Sequence, residues 1–349
     1  MITQREIYLD ANATHPYLKG VREGLAAALV SESSFLSNPS SIHRRGQSAK
    51  AMVARFRQTF CEYLGRPDGD EFVICSGATE ALNAAMRGFV KNRESKGRKP
   101  VLIVSTIEHK AVLDTAADLE AQGIDVFTLP VDAYGQISEN DFLKVLDSVF
   151  ADPSTDVLCT FQVVNNEIGT AYDLPSLFNA ALKKYGQTPQ PHLPRIKGGR
   201  MQLSPQRLFL CLDAVQALGK LEDSYLRSCL HYADYAAFSG HKIGAPTGIG
   251  VLWLRPSAPF ESLITGGPQE RKRRAGTLNA LGIYGFQLAL EDWAKNGAAY
   301  RAKFKKQRAY LLEEMSQIEG LKIHAVPQNP EAVVLENTIN FHVEGLSLI

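Results

Sequence analysis

The chain contains the segment Ala236-Ala237-Phe238-Ser239-Gly240-His241-Lys242-Ile243-Gly244. Its apolar half predicts a buried β-strand, and the glycines and the proline between 244 and 250 predict a turn directly after that strand. Lys242 therefore reaches a glycine-rich turn, where main chain can approach a ligand closely. An amine that is held there and partly removed from water can lose its proton near neutral pH and form a Schiff base with an aldehyde. The pattern predicts that Lys242 carries the aldehyde cofactor pyridoxal 5'-phosphate (PLP).

Short β-branched runs alternate with helical patterns along most of the chain. This alternation is typical of an α/β fold with a mostly parallel central sheet and helices on both faces. The predicted strands are 71–75, 101–105, 125–129, 157–164, 208–212, 232–239 and 249–254, and the predicted helices are 48–64, 78–91, 111–122, 139–150 and 174–185. A helical region over 280–318 and short strands at 321–325 and 338–343 predict a smaller α+β part. We expect a large PLP-binding domain over 14–257 and a small domain from 1–13 and 258–349.

Composition excludes several classes of protein. Lys+Arg 38 against Asp+Glu 37 leaves a formal net charge of +1, which argues against a nucleic-acid-binding or membrane-surface protein. The N-terminal residues lack the layout of a signal peptide, and no apolar run is long enough to span a membrane. The five cysteines form no C-x-x-C pair, so we expect buried free thiols in a reducing compartment and a cytoplasmic location.

A helix is predicted to begin within Ser76-Gly77-Ala78-Thr79-Glu80, directly after a strand. Free amides at a helix N-terminus bind phosphate, Gly77 permits close approach, and the hydroxyl of Thr79 adds a donor. An ordinary N-cap gives the same local pattern. Phosphate binding and simple capping therefore remain equally good interpretations of this segment.

The segment Asp213-Ala214-Val215-Gln216 follows another predicted strand. In open parallel sheets, ligands bind beyond the carboxyl ends of the strands. A carboxylate at Asp213 could pair with a protonated pyridine nitrogen and keep the ring an electron sink. The alternative is an aspartate that only caps a helix. This alternative is less favoured because Lys242 stands at the end of a later strand.

Two His-Lys pairs compete for the Schiff base, at 109–110 and at 241–242. Lys110 leads into a predicted helix, whereas Lys242 follows a strand and meets the glycine-rich turn, so Lys242 is the better candidate. His109 is predicted to end a strand, where its ring could stack on the pyridine ring or move protons.

Two further segments have both a functional and a structural interpretation. A side-chain amide in Asn165-Asn166-Glu167-Ile168-Gly169 could donate to a ring hydroxyl or a substrate carboxylate, or the segment could simply form a turn. The basic run Arg271-Lys272-Arg273-Arg274 suits a phosphate or an acidic substrate at least as well as a nucleic acid.

Together these motifs resemble the NifS/IscS-type cysteine desulfurases, in the class V aminotransferase group of fold-type I PLP enzymes. The matching segments are Tyr8-Leu9-Asp10, Asn38-Pro39-Ser40-Ser41-Ile42-His43, Ser76–Glu80, Glu108-His109-Lys110, Asn165–Gly169, Asp213 with Gln216, Ser239–Lys242, Glu270-Arg271 and Arg274-Ala275-Gly276-Thr277. They occur in the family's order and cover nearly the whole chain.

The resemblance implies a role for each site residue. Lys242 would hold PLP and move the α-proton of the substrate, and Asp213 would contact the pyridine nitrogen. His109 would stack on the ring, with Gln216 and Asn166 beside the ring hydroxyl and the substrate. The phosphate would be held by Ala78, Thr79, Ser239 and His241, and by Thr277 from the second subunit of a homodimer. The implied reaction converts L-cysteine to L-alanine and leaves the sulfur as a persulfide on an enzyme cysteine.

The sequence also departs from the family pattern. The resemblance places the nucleophilic cysteine loop, and the arginine that clamps the substrate carboxylate, beyond Ile349. None of the five cysteines matches the nucleophile, although the pattern alone does not exclude Cys229. Lys272 stands where the family has glycine. We therefore expect a desulfurase-like chain that binds PLP but turns over poorly.

Two alternatives stay open. Another class V activity, such as an aminotransferase or β-lyase, needs no cysteine nucleophile. A non-catalytic remnant could instead dimerise or bind a sulfur-acceptor or scaffold protein. Its docking element would be the basic, proline-rich loop over 187–207, although a tolerated insertion between a helix and a strand explains this loop better.

Overall fold

The structure is a computed structural model that describes residues 7–65, 71–187, 206–324 and 332–346. Within these ranges the helices are α1 (Lys19–Val30), α2 (Arg44–Leu64), α3 (Ala78–Ser95), α4 (Lys110–Ala121), α5 (Glu139–Phe150), α6 (Leu174–Lys184), α7 (Asp223–Tyr232) and α8 (Ala280–Met315). The strands are β1 (Glu71–Cys75), β2 (Lys99–Ser105), β3 (Asp125–Leu129), β4 (Thr155–Gln162), β5 (Leu208–Asp213), β6 (Tyr235–Ser239), β7 (Gly250–Leu254), β8 (Leu321–Ile323) and β9 (Phe341–Val343).

Seven strands form one central sheet in the order β1-β7-β6-β5-β4-β2-β3. The neighbours β2–β3, β2–β4, β4–β5 and β5–β6 are parallel, and β7 runs antiparallel to both β1 and β6. Parallel neighbours need crossover connections, which the helices supply. The predicted α/β fold with a mostly parallel sheet is confirmed. Its parallel strands bring their carboxyl ends to a single edge.

Each face of the sheet is buried under helices, and the strand period of two divides the side chains between the faces. In β1, Phe72 and Ile74 join the cluster that α2 and α8 cover, whereas Val73 and Cys75 join the cluster under α3. On the first face the ring of Phe60 lies 5.2 Å from that of Phe238. This aromatic contact fixes β6, the strand that leads to Lys242, against the helix layer.

Most predicted boundaries agree with the structure, but one strand start in the central sheet is wrong. The predicted strand over 232–239 begins only at Tyr235, because Tyr232 ends α7. Helix α7 escaped prediction because it is only ten residues long, with Leu226, Cys229 and Leu230 as its buried side. Helix α1 was also not predicted.

The C-terminal part contains α8 and a two-stranded antiparallel sheet of β8 and β9. Both strands are shorter than predicted, and the described residue Thr338 lies outside β9. The division into domains at 257 and 258 stays a prediction. Nearly all of the basic loop, residues 188–205, lies outside the described ranges, so its role also stays a prediction. Among the described helices, none combines the length and the apolarity needed to cross a membrane.

Candidate active site

A cavity of about 900 Å³ opens at the carboxyl ends of β4, β5 and β6. Nine of the ten predicted site residues line it: Ala78, Thr79, His109, Asn166, Asp213, Gln216, Ser239, His241 and Lys242. The tenth, Thr277, is exposed and does not line this cavity. The volume lies within the usual range for cofactor and small-molecule sites.

Lys242 occupies a single 3₁₀ turn, Gly240–Ile243, directly after β6. The turn ends at Gly244, whose φ of 83° is costly for any residue with a side chain. The amine donates hydrogen bonds to the main-chain oxygens of Asn12 (2.7 Å) and Ala13 (2.8 Å). Burial lowers the pKa of Lys242, although the charges of Asp213 and Asp10 oppose the shift. The amine is therefore held in place and partly desolvated, as the sequence predicted.

Asp213 is the last residue of β5 and is 7% exposed. One carboxyl oxygen accepts a hydrogen bond from the amide of Val215 at 3.0 Å. Burial raises the pKa of Asp213, and the Val215 bond and the charges of His109 and Lys242 only partly offset this. A carboxylate held in this way gains most from a cation or a protonated ring nitrogen in the cavity.

The N-terminus of α3 forms the next wall of the cavity. Its first amides, beginning at Ala78 and Thr79, have no partner within the helix. The turn before them is fixed by Glu80, whose carboxylate accepts from the amide of Ser76 (2.7 Å) and pairs with Arg274 (2.9 Å). Burial opposes ionisation of Glu80, but these bonds outweigh it and lower the pKa of Glu80. The charged carboxylate therefore fixes the turn beside the cavity.

Glycine at 250 lets β7 pack directly on this turn. A Cβ atom there would lie 2.5 Å from the carbonyl carbon of Gly77. By contrast, a Cβ atom at Gly77 itself would meet nothing within 4 Å. Gly77 therefore leaves open space beside the free amides of α3, as an anion site requires.

His109 lies at the cavity, but the prediction that it ends a strand is wrong. Strand β2 already ends at Ser105, and His109 is the N-cap of α4. Its Nδ1 atom accepts a hydrogen bond from the amide of Ala111 at 3.0 Å. In the neutral ring the hydrogen is therefore assigned to Nε2, and the capping bond fixes the ring orientation. Lys110, the alternative Schiff-base lysine, is exposed and does not line this cavity.

The two asparagines of the segment Asn165–Gly169 have different positions: one forms a turn and the other lines the cavity. The side-chain oxygen of Asn165 accepts from the amides of Glu167 (2.8 Å) and Ile168 (2.9 Å), so this residue builds the turn. Asn166 lines the cavity instead. Asn165 therefore forms the predicted turn, and the contact of Asn166 with a ligand stays a prediction.

His241 follows Gly240 and lines the cavity beside Lys242. Burial lowers the pKa of His241 to about 4, with contributions from the charges of Lys242 and Lys220. Its ring is therefore neutral at pH 7. Thr14 lies 3.3 Å from His241 Nδ1, which ties the ring to the N-terminal segment.

The sequence pattern assigned no role to three residues that the structure places at the cavity or beside the residues that line it. Asn12 contacts Lys242, Gln216 and Lys220. Lys220 is 3% exposed, and its spacing of four from Gln216 within a turn is the one local signal for it. Glu108 is buried and accepts from the hydroxyl of Ser105 (2.6 Å) and the amide of Gln162 (2.8 Å).

The basic run at 271–274 serves the scaffold within this chain. Arg273 pairs with Glu71, and Arg274 pairs with Glu80. No residue of the run lines the cavity, so the binding of a phosphate or an acidic substrate there is not supported within one chain.

None of the five cysteines lines the cavity. Cys75, Cys159, Cys211 and Cys229 are buried, and Cys61 on α2 is half-buried. Cys229, which the sequence pattern did not exclude as a nucleophile, lies inside α7 with no exposed surface. Burial raises the pKa of Cys229 to about 12, which suppresses the reactive thiolate.

Comparison with known proteins shows the family to which the chain belongs. The family model for class V aminotransferases matches residues 7–188 and 201–348. The chain belongs to the class V aminotransferase family, whose members are PLP-dependent. Its relatives within that family are cysteine desulfurases of the IscS type, so by family it is a cysteine desulfurase homologue.

Similarity extends over nearly all of this chain and most of each relative. The cysteine desulfurase IscS of Methanosarcina thermophila is 31% identical over 348 residues, which are 99% of this chain and 76% of that protein. A solved NifS-like protein has a TM-score of 0.79 at 28% identity, covering 97% of this chain and 81% of that one. SspA, solved in complex with cysteine, has a TM-score of 0.73 at 27% identity, covering 97% and 84%.

Proposed function

We propose that this chain binds PLP through Lys242 and acts on the amino acid L-cysteine. The observation that carries the proposal is one cavity in which a desolvated lysine amine, a buried carboxylate and the free amides of a helix N-terminus meet. These three groups match the aldehyde, the pyridine nitrogen and the phosphate of PLP, in that order. The cysteine bound to the similar protein SspA supports the choice of substrate.

The donors around the cavity suit each end of the cofactor. The amides of Ala78 and Thr79 and the side chains of Ser239 and His241 would hold the phosphate. Asp213 would accept from the ring nitrogen, and His109 would lie against the ring. When bound, PLP supplies an electron sink for the charge that develops at the substrate α-carbon.

Lys242 would also move the α-proton of the substrate. A base must be unprotonated and within hydrogen-bonding reach of the proton it takes. Burial favours the unprotonated amine, and the oxygens of Asn12 and Ala13 offer a place for the ammonium that forms. Gln216 and Asn166 would orient the ring hydroxyl and the substrate.

Sulfur transfer needs a thiolate at the substrate, and none of the five cysteines of this chain lines the cavity. In the family's chemistry a cysteine thiolate takes the substrate sulfur and L-alanine is released. Because no thiol lines the cavity, we propose that this sequence alone activates L-cysteine but transfers its sulfur slowly. The proposal includes a homodimer, in which Thr277 reaches the phosphate site of the partner subunit. It also includes a sulfur-acceptor or scaffold protein as a partner.

The decisive experiment separates PLP binding from sulfur transfer. Wild-type protein incubated with PLP should become yellow and exchange the α-hydrogen of L-cysteine with deuterium from heavy water. Lys242→Ala should lose both properties, because the amine both holds the cofactor and moves the proton. Lys110→Ala, the matched change in the other His-Lys pair, should retain both. Colour and exchange that survive in Lys242→Ala would refute the proposal.

The lack of a thiol in the cavity favours one alternative reaction, a β-elimination by a lyase. That reaction would turn L-cysteine into pyruvate, ammonia and sulfide, whereas desulfuration yields L-alanine. Product analysis by chromatography distinguishes them. L-alanine as the main product supports a desulfurase, and pyruvate supports a lyase.

A further inference from the structure

Lys220 is a buried amine to which the proposed function gives no task. It lies in the turn between β5 and α7, and only 3% of its surface is exposed. Burial, with a contribution from the charge of Lys242, lowers the pKa of Lys220 to about 7, and no acidic residue in the described part of the chain contributes to this shift. A buried amine without an acidic partner is costly, so its contacts indicate why it is there.

The contacts of Lys220 form a closed ring of three hydrogen bonds with Asn12 and Gln216. The amine donates to the side-chain oxygen of Asn12 at 3.2 Å and to the side-chain oxygen of Gln216. The side-chain nitrogen of Gln216 in turn donates to the main-chain oxygen of Asn12 at 3.1 Å. Each residue of the ring therefore contacts both of the others.

This ring fixes which way the amide of Gln216 faces. A charged lysine amine only donates, and the main-chain oxygen of Asn12 only accepts, so the amide nitrogen of Gln216 faces Asn12 and its oxygen faces Lys220. In the reversed orientation the amide nitrogen would face the amine, and the amide oxygen would face the carbonyl of Asn12. Both contacts would be repulsive. In the observed orientation the second hydrogen on the amide nitrogen remains for the cavity that Gln216 lines.

Asn12 is itself held from the C-terminal part of the chain. The side-chain nitrogen of Asn12 donates to the hydroxyl of Thr338 at 2.6 Å, and its side-chain oxygen accepts from the side-chain nitrogen of Asn337 at 3.0 Å. The acceptor that receives the Lys220 amine is therefore anchored independently of Gln216. Of the two residues that Lys220 contacts, Gln216 is therefore the one whose orientation depends more on Lys220.

We propose that Lys220 is a positioning residue that orients the amide of Gln216 so that its N–H donates into the cofactor cavity. This inference rests on the proposed function, since the acceptor for that N–H is the ring hydroxyl of PLP. Lys220 itself does not touch the cofactor. It acts on PLP binding only through Gln216.

A double-mutant cycle on the PLP dissociation constant tests this route. Lys220→Met, which removes the donor but keeps the chain length, should weaken PLP binding about tenfold, the loss of roughly one good hydrogen bond. Gln216→Ala should weaken binding by a similar factor. The double variant should lie within about threefold of Gln216→Ala alone, because Lys220 has nothing left to orient.

Two outcomes of the cycle would overturn the inference. These are unchanged PLP affinity in Lys220→Met, and losses that multiply in the double variant. Lys303→Met, an exposed change on α8, is the matched control and should bind PLP as the wild type does. Lys220→Arg keeps a buried donor, so it should bind PLP within about threefold of wild type. If Lys220→Met fails to fold, Lys220→Arg replaces it, and an affinity loss beyond about threefold would then count against the inference.

The absorbance spectrum of bound PLP shows whether Lys220 orients the amide of Gln216 or only packs in the fold. A donor to the ring hydroxyl changes the absorbance maximum of bound PLP, so Lys220→Met and Gln216→Ala should shift that maximum in the same direction. A purely structural role of Lys220 would lower affinity without moving the band. An unshifted band in Lys220→Met beside a shifted band in Gln216→Ala would contradict the inference.

One comparison needs no PLP and remains decisive if the proposed function fails. In unloaded protein, Gln216→Glu places a carboxylate against the Lys220 amine, which can pair with it. The urea midpoint should therefore fall little in Gln216→Glu alone. It should fall far more when Gln216→Glu is combined with Lys220→Met, because the buried charge then has no partner. Equal losses in both backgrounds would show that Lys220 does not face the oxygen of residue 216.

Discussion

The amine of Lys242 lies 2.7 Å from the main-chain oxygen of Asn12, although 230 residues separate them in the chain. The N-terminal segment therefore closes the cavity over the end of β6. Asn12 also receives hydrogen bonds from Gln216, Lys220 and Asn337. One asparagine near the N-terminus thus contacts both Lys242 and Asn337 in the C-terminal part of the chain.

Asn12→Ala should lower the free energy of unfolding by about 1–3 kcal/mol, because the change leaves the buried amine of Lys220 with one acceptor fewer. Urea unfolding monitored by circular dichroism measures the loss. Asn296→Ala, on α8 and away from the cavity, is the matched control and should change stability by under about 1 kcal/mol. Equal stability of Asn12→Ala and wild type would contradict the role given to Asn12.

Asp213→Asn should have opposite effects on folding and on cofactor binding. In unloaded protein the raised pKa of Asp213 means that its buried charge costs stability as the pH rises through that pKa, so Asn should raise the urea midpoint at pH 8. In the loaded protein the loss of the carboxylate should weaken PLP binding at least about tenfold. The exposed change Asp114→Asn should do neither. A fall in both quantities would show that Asp213 serves the fold alone.

Glu108→Gln should flatten the pH dependence of stability. Burial raises the pKa of Glu108 from its ordinary 4.5 to about 8, with the bonds from Ser105 and Gln162 opposing and the charge of Asp213 adding to the rise. The folded state then holds a proton that the unfolded state has released. The wild-type free energy of unfolding should fall between pH 5 and 8, by at most about 1.4 kcal/mol per pH unit from this residue.

Glutamine mimics the neutral acid, so the Glu108 contribution to that slope should vanish in Glu108→Gln. Urea unfolding at several pH values measures both slopes. Asp213 and Tyr172, which also face Glu108, are present in both proteins and therefore cancel in the comparison. Glu94→Gln, an exposed change on α3, should keep the wild-type slope. Identical slopes in Glu108→Gln and wild type would contradict the assigned pKa.

Gly250→Ala should mainly lower the stability of the fold, whereas Gly77→Ala should mainly weaken PLP binding. The Cβ atom at 250 would overlap the main chain of Gly77, so Gly250→Ala should lower the free energy of unfolding by about 1–3 kcal/mol. Gly77→Ala should change it by under about 1 kcal/mol, since its Cβ atom meets no protein atom. Its methyl group would nevertheless narrow the phosphate site and weaken PLP binding, measured by titration. Unchanged PLP affinity in Gly77→Ala would place the phosphate elsewhere.

The part of the site that follows strand ends could be predicted from the sequence. Asp213 ends β5, and Lys242 lies just beyond the end of β6. Because parallel strands end at a common edge, local patterns alone brought these residues to one place. Thr79 was indicated by a different pattern, a helix that begins directly after β1, and Ala78 was implied only by the family resemblance.

The contacts that close the site could not be predicted in this way. Asn12 meets Lys220 and Gln216 only after the chain has folded, and no local period marks a contact over 200 residues. His109 was assigned to a strand because its capping bond to Ala111 leaves no trace in the apolar pattern. Helix α7 was overlooked because it is only ten residues long, too short for a clear helical period.

Reduction with borohydride, followed by peptide mass mapping, tests the central claim most directly, since it fixes PLP covalently to whichever lysine carries it. Wild-type protein loaded with PLP should yield one phosphopyridoxyl-lysine, at Lys242, and Lys242→Ala should yield none. A label on Lys110 or Lys220 instead, or no label in the wild type, would contradict the account.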